Sequence, residues 1–191
     1  MKKLILFAAI LFAGVSVVSA AEPITSAVNF KLNLHAFQSI EVGGGDQGTI
    51  DGETGLVNGE VVLDYSTVKK YDEGVSRTIS DHIIIQSAGG FVVKVKSDVD
   101  NLSDTSGAAD VSMSTIALTA QEKGLHKSDI EKVSLSAEST PFISSESGFG
   151  KEMKFDVTYS GAGGNAYGAF VRKDGTVRNL ETTITYEMFP R

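Results

Sequence analysis

The sequence predicts an all-β fold, an antiparallel two-sheet sandwich of about eight to ten strands. Three observations predict it. Apolar and polar residues alternate with period two through nearly the whole chain after residue 21, the pattern of half-buried strands. Helix signals are scarce, so nothing is long enough to cross between parallel neighbours. The loops are rich in Gly, Ser and Asp and uneven in length, which suits a sandwich better than a closed barrel.

Residues 1–21 have the three parts of a secretory signal. Lys2 and Lys3 precede an apolar run from Leu4 to Val18, and small residues follow, with cleavage after Ala20 or Ala21. The run is shorter than the roughly 20 apolar residues that span a bilayer, and no later stretch is long enough either. A removed export signal is therefore expected, with no lipoprotein anchor (no cysteine stands at the junction) and no stable membrane insertion afterwards. Residues 22–191 then form one domain in the periplasm, at the outer surface or outside the cell. Losing Lys2 and Lys3 takes the 17 basic side chains to 15 against 24 acidic ones, and the formal charge from −7 to −9. Such a surface argues against nucleic acid and against anionic lipid. Cysteine is absent, which excludes disulfides, thiol catalysis and cysteine metal sites.

Taken in order, the elements begin with a stripe. Val28, Phe30, Leu32, Leu34 and Ala36 share one face, and Ile40 and Val42 continue it after a bend expected at residues 37–38. Residues 43–59, with seven glycines, form a loop too poor in apolar side chains to pack. EVVLDY alternates at Val61, Leu63 and Tyr65. DHIIIQS and FVVKVKS flank Ala88-Gly89-Gly90, which predicts a tight hairpin with positive backbone angles at the glycines. VSMSTIALTA changes phase, so a bulge or break is expected near Ser114–Thr115. QEKGLHKSDIEK is a polar connection with one turn of helix capped by Ser128. KVSLSA, KFDVTY and the C-terminal LETTITYEMF alternate at Val133 and Leu135, at Phe155, Val157 and Tyr159, and at Leu180, Thr182, Ile184, Tyr186 and Met188.

No catalytic constellation is legible, and a non-enzyme is expected. His35, His82 and His126 share no metal-ligand spacing and read as solvated or edge residues. No G-x-S-x-G is present, and SGFGKEM lacks the glycine and hydroxyl of a phosphate loop. Two acidic clusters, Asp46/Asp51/Glu53 and Asp98/Asp100/Asp104, offer oxygens of the kind calcium takes but match no known loop, and read as solvated. No cofactor is assigned. Asn101-Leu102-Ser103 matches a glycosylation sequon. A glycan site built from sandwich loops would draw on Phe142 and Phe149 of the 139–151 loop and on Tyr167, without the tryptophan such sites favour.

The stripe Val28–Leu34 is either the first strand of the protein's own sheet or an arm for a neighbour. In the second case Val28, Phe30, Leu32 and Leu34 are the side chains that fill pockets, and self-association follows by strand addition. The signal, the VNFKLNL opening, DHIIIQSAGGFVVKVKS, FDVTYSGAGGNAY and TTITYEMF together resemble small exported β-rich surface proteins of Bacteroidota and fimbrial, pilin-like subunits. That resemblance implies an Ig-like or pilin-like sandwich in a structural, filament-forming role. Unlike many pilins of the chaperone–usher type, the chain has no disulfide, and it ends Met188-Phe189-Pro190-Arg191.

Overall fold

Ten-residue and thirteen-residue strands dominate one sheet of the computed structural model, which describes residues 32, 37–43, 60–103, 110–124, 127–148 and 150–191. Strands β1 (Gln38–Val42), β2 (Val75–Ser87), β10 (Glu152–Gly161), β6 (Ile116–Lys123) and β8 (Val133–Ser134) form it, in the order β1-β2-β10-β6-β8. The second sheet runs β11-β3-β9-β7, from β11 (Ile184–Pro190), β3 (Phe91–Ser97), β9 (Thr140–Ser145) and β7 (Asp129–Ile130). A two-stranded ribbon joins β4 (Asn101–Leu102) to β5 (Val111–Ser112). All pairings are antiparallel. The protein is an all-β sandwich. It has eleven strands among the described residues, four of them only two residues long, where the sequence predicts eight to ten.

Alternation builds the core. In β3, Phe91, Val93 and Val95 are buried while Val92, Lys94 and Lys96 face outward; in β10, Met153, Phe155, Val157 and Tyr159 are buried. These faces meet with Ile79, Ile83 and Ile85 of β2 and Phe142 and Ile143 of β9 in one apolar cluster. The hydrophobic effect at roughly 25 cal/mol per Å² makes this interface the main stabilising term in a chain without disulfides.

Several expectations are corrected. DHIIIQS and FVVKVKS are not a hairpin: β2 pairs with β1 and β10, and β3 with β11 and β9, so Ala88-Gly89-Gly90 carries the chain from one sheet to the other. Neither Gly89 nor Gly90 has a positive φ. Gly90 is needed for close approach instead, since a Cβ there would lie 2.8 Å from the Glu146 carbonyl oxygen. Glu60–Tyr65 joins no ladder, and the C-terminal strand starts only at Ile184. The predicted helical turn after β6 is absent from the described residues. There Asp129–Ile130 pairs with β9, and the Ser128 amide donates to Glu122. A helix forms elsewhere, at α1 (Val68–Glu73), with Thr67 accepting from the Lys70 amide and Gly74 closing it at φ 84°. The break in VSMSTIALTA is real and takes the form of a 3-10 turn over Met113–Thr115.

Candidate functional site

A bulge in β2 shapes the site. Val157 pairs with Ile79 and Phe155 with Ile83, so Ser80, Asp81 and His82 together face Asp156. Asp81 takes a left-handed conformation (φ 51°), and its amide donates to the Asp156 carboxylate at 2.8 Å. Lys123 reaches both carboxylates, at 2.7 and 2.8 Å, from the strand on the other side of β10. Burial pushes the Asp156 carboxyl up, but the Lys123 bond and the Asp81 amide outweigh it and hold the carboxyl below its ordinary range. The outer face of the bulge is thus pinned by charge, and the shift of phase turns His82 inward.

His82 is therefore buried rather than solvated or at an edge, which corrects the sequence expectation. It fastens the end of β1 twice. Its carbonyl accepts from the Gly43 amide at 2.7 Å, and its Nδ1 donates to the Gly43 carbonyl. With the proton on Nδ1 of a neutral ring, Nε2 accepts from the Tyr159 hydroxyl at 2.7 Å. The Tyr159 oxygen in turn accepts from Tyr186 at 2.7 Å. A three-residue polar chain so crosses the core from the first sheet to the second. Burial pushes the Tyr159 hydroxyl up to about 12 and that of Tyr186 well above its usual value, so both stay neutral at physiological pH.

These three side chains line a cleft of about 1150 Å³. Its lining is apolar at Leu102 and Val111 of the ribbon, at Met113 of the 3-10 turn and at Ile116 of β6. Two segments outside any helix or strand, Glu60–Ser66 and Asn179–Thr183, also line it. Burial alternates along each: Val61, Leu63 and Tyr65 are half-buried, as are Leu180 and Thr182, while Glu60, Val62, Asp64 and Glu181 are exposed. Among the described residues, Glu60–Ser66 and Asn179–Thr182 make no backbone-to-backbone hydrogen bond. The Thr182 hydroxyl is buried in the cleft with no partner.

At one end of the cleft the stretches 65–72 and 162–167 pack together. Tyr65 donates to the Ala162 carbonyl at 2.9 Å, and its ring meets Tyr71 at 5.3 Å and Tyr167 edge-on at 4.8 Å. The amides of Gly164 and Asn165 donate to the carbonyls of Asp72 and Tyr71. Gly163 permits the approach, since a Cβ there would sit 2.6 Å from the Asp72 oxygen. Burial, with Tyr167 beside it, pushes Tyr65 up to about 12.

Of the residues singled out in the sequence, Leu32 is exposed, and Val28, Phe30 and Leu34 lie outside the described residues. Phe142 is not in a loop: it is buried in β9, 6.2 Å from Tyr186. Phe149 lies outside the described residues. Tyr167 does line the cleft, but its hydroxyl is committed to Thr115 at 2.8 Å. Phe142 and Tyr167 thus form no common aromatic platform. Asp98 and Asp100 are described, and Asp100 accepts from the Ala137 amide. Asp46, Asp51, Glu53 and Asp104 lie outside the described residues, and so do His35, His126 and most of the 43–59 loop. Among the described residues no group of three or more acidic or histidine side chains is placed to hold a metal, and no helix is long and apolar enough to cross a membrane. No family model matches the chain, and no curated protein matches its sequence.

Proposed function

We propose that this chain is an exported, non-enzymatic structural protein of the cell envelope or surface that self-associates by strand addition. The stripe Val28, Phe30, Leu32 and Leu34 is the strand it donates. One observation carries this reading: the compact unit that holds the sandwich runs from His35 to Arg191, so the first half of the stripe is not part of it. A segment whose sequence alternates apolar and polar residues has an apolar face to bury, and pairing with a neighbour would bury it while satisfying its backbone. The test is Phe30→Asp in the chain from residue 22 onward. A carboxylate in an apolar pocket is costly, so the mass by light scattering is expected to fall to that of one copy at unchanged thermal stability. Assembly that persists unchanged in this variant contradicts the reading.

A further inference from the structure

We propose that the cleft beside His82, Tyr159 and Tyr186 binds a single-chain amphiphile with a carboxylate head, a fatty acid. Its chain lies on the tyrosine rings and its head at Arg172 and Arg178. The inference is independent of assembly. All five tyrosines of the chain line this cleft, and so does the buried His82. At about 1150 Å³ it is at the upper end of the sites that enclose a small molecule, roughly 300–1,000 Å³. That leaves room for a long, flexible ligand.

The tyrosines leave a ligand little to hydrogen-bond. Tyr65 donates to the Ala162 carbonyl, Tyr167 to Thr115, Tyr159 to His82 and Tyr186 to Tyr159. With those hydroxyls engaged, their rings offer mainly apolar surface, which Leu63, Met113, Ile116 and Phe170 extend. A sugar against such a surface gives up its water partners and gains few in return, which is unfavourable. An aliphatic chain has no such partners to lose, and each methylene it covers is stabilising.

Charge places the head. Among the described residues, the charged side chains that line the cleft are Glu60, Asp64, Arg172, Arg178 and Glu181. The three carboxylates are exposed, and Asp64 is held by Lys70 at 2.9 Å. Both arginines are half-buried, so the charge that water screens least is positive. A guanidinium carries five donors in a planar fork. One already engaged within the protein keeps donors for a carboxylate, which it can meet with two parallel bonds. The Thr182 hydroxyl, buried in the cleft without a partner, adds a donor on the same stretch of chain as Arg178.

Calorimetric titration of dodecanoate, kept below its micelle concentration, into the chain from residue 22 onward is the test. One molecule is expected to bind per copy, with dodecanol several-fold weaker and hexanoate weaker still. Arg172→Ala and Arg178→Ala are each expected to weaken dodecanoate about tenfold and to leave dodecanol unchanged. Arg191→Ala is expected to change neither, since that guanidinium lies outside the cleft and meets Glu146. Leu63→Gln is expected to weaken both ligands, with Phe170→Ala as the second variant should Leu63→Gln fail to fold. Dodecanol bound as tightly as dodecanoate overturns the anionic head. Dodecyl phosphate bound more tightly than dodecanoate overturns the carboxylate. Binding that is unchanged in Leu63→Gln and Phe170→Ala overturns the cleft as the site. No binding of any of these ligands overturns the inference whole, and it leaves strand addition to be decided by the mass of the chain.

Discussion

Phe155→Ala is expected to cost about 3–5 kcal/mol of stability. Phe155 has no exposed surface and sits in the middle of β10, which is held on one side by β2 and on the other by β6. Removing the ring leaves a cavity whose surroundings are two hydrogen-bonded ladders, and ladders relax little. The pairing with Ile83 also ends the β2 bulge, so the loss falls at the one place where that strand re-enters register. Urea unfolding measures it as a lower midpoint at unchanged slope. Phe189→Ala is the comparison: that ring lies on edge strand β11, is 42% exposed and covers little. It is expected to change stability by only about 0.5 kcal/mol. A Phe155→Ala loss no larger than that of Phe189→Ala contradicts the placement of the core between the sheets.

Tyr159→Phe carries the second large effect, about 2–4 kcal/mol, because one missing oxygen removes a partner from both the buried His82 ring and the half-buried Tyr186 hydroxyl. His82 Nε2 loses its donor and the Tyr186 hydroxyl loses its acceptor. Tyr186→Phe removes only the end of the chain and leaves Tyr159 donating to His82, so its cost is expected below about 1.5 kcal/mol. Equal losses in the two variants contradict the direction of the chain. The alkaline limb checks the same group. Tyr159 ionises near 12 in the folded protein against 10.0 for its ordinary value, the result of burial. The folded state therefore keeps a proton that the unfolded state has released. Stability is intact below pH 10 and falls as pH rises toward 12. Without the Tyr159 hydroxyl, the fall over that window is expected to be shallower by about 1.4 kcal/mol per pH unit.

Faces were legible in the sequence and neighbours were not. The alternation of Phe91, Val93 and Val95 reads directly as the buried side of β3, and that of Met153, Phe155 and Val157 as the buried side of β10. Two facing sheets and two paired strands leave the same period-two trace, however. DHIIIQS and FVVKVKS thus read as a hairpin when they belong to opposite sheets. For the same reason EVVLDY and the residues before Ile184 read as strands: their side chains alternate, but no ladder exists to reveal itself in composition. Phe142 follows Pro141, which reads as a loop, yet the register of β9 against β3 shifts opposite this proline, so the strand tolerates it and both Phe142 and Ile143 are buried. A signal for His82 was present. Asp81 stands on the same odd-numbered face as Ile79, Ile83 and Ile85, and an acid there marks a bulge that sends the next residue inward.

The mass of residues 22–191 in solution, beside that of residues 37–191, tests the central claim most directly. The longer chain is predicted to form oligomers and the shorter one to remain folded as a single copy, because the compact unit begins at His35 and β1 only at Gln38. A longer chain that is a single copy, with a shorter chain that unfolds, would contradict it: the stripe would then be the protein's own first strand.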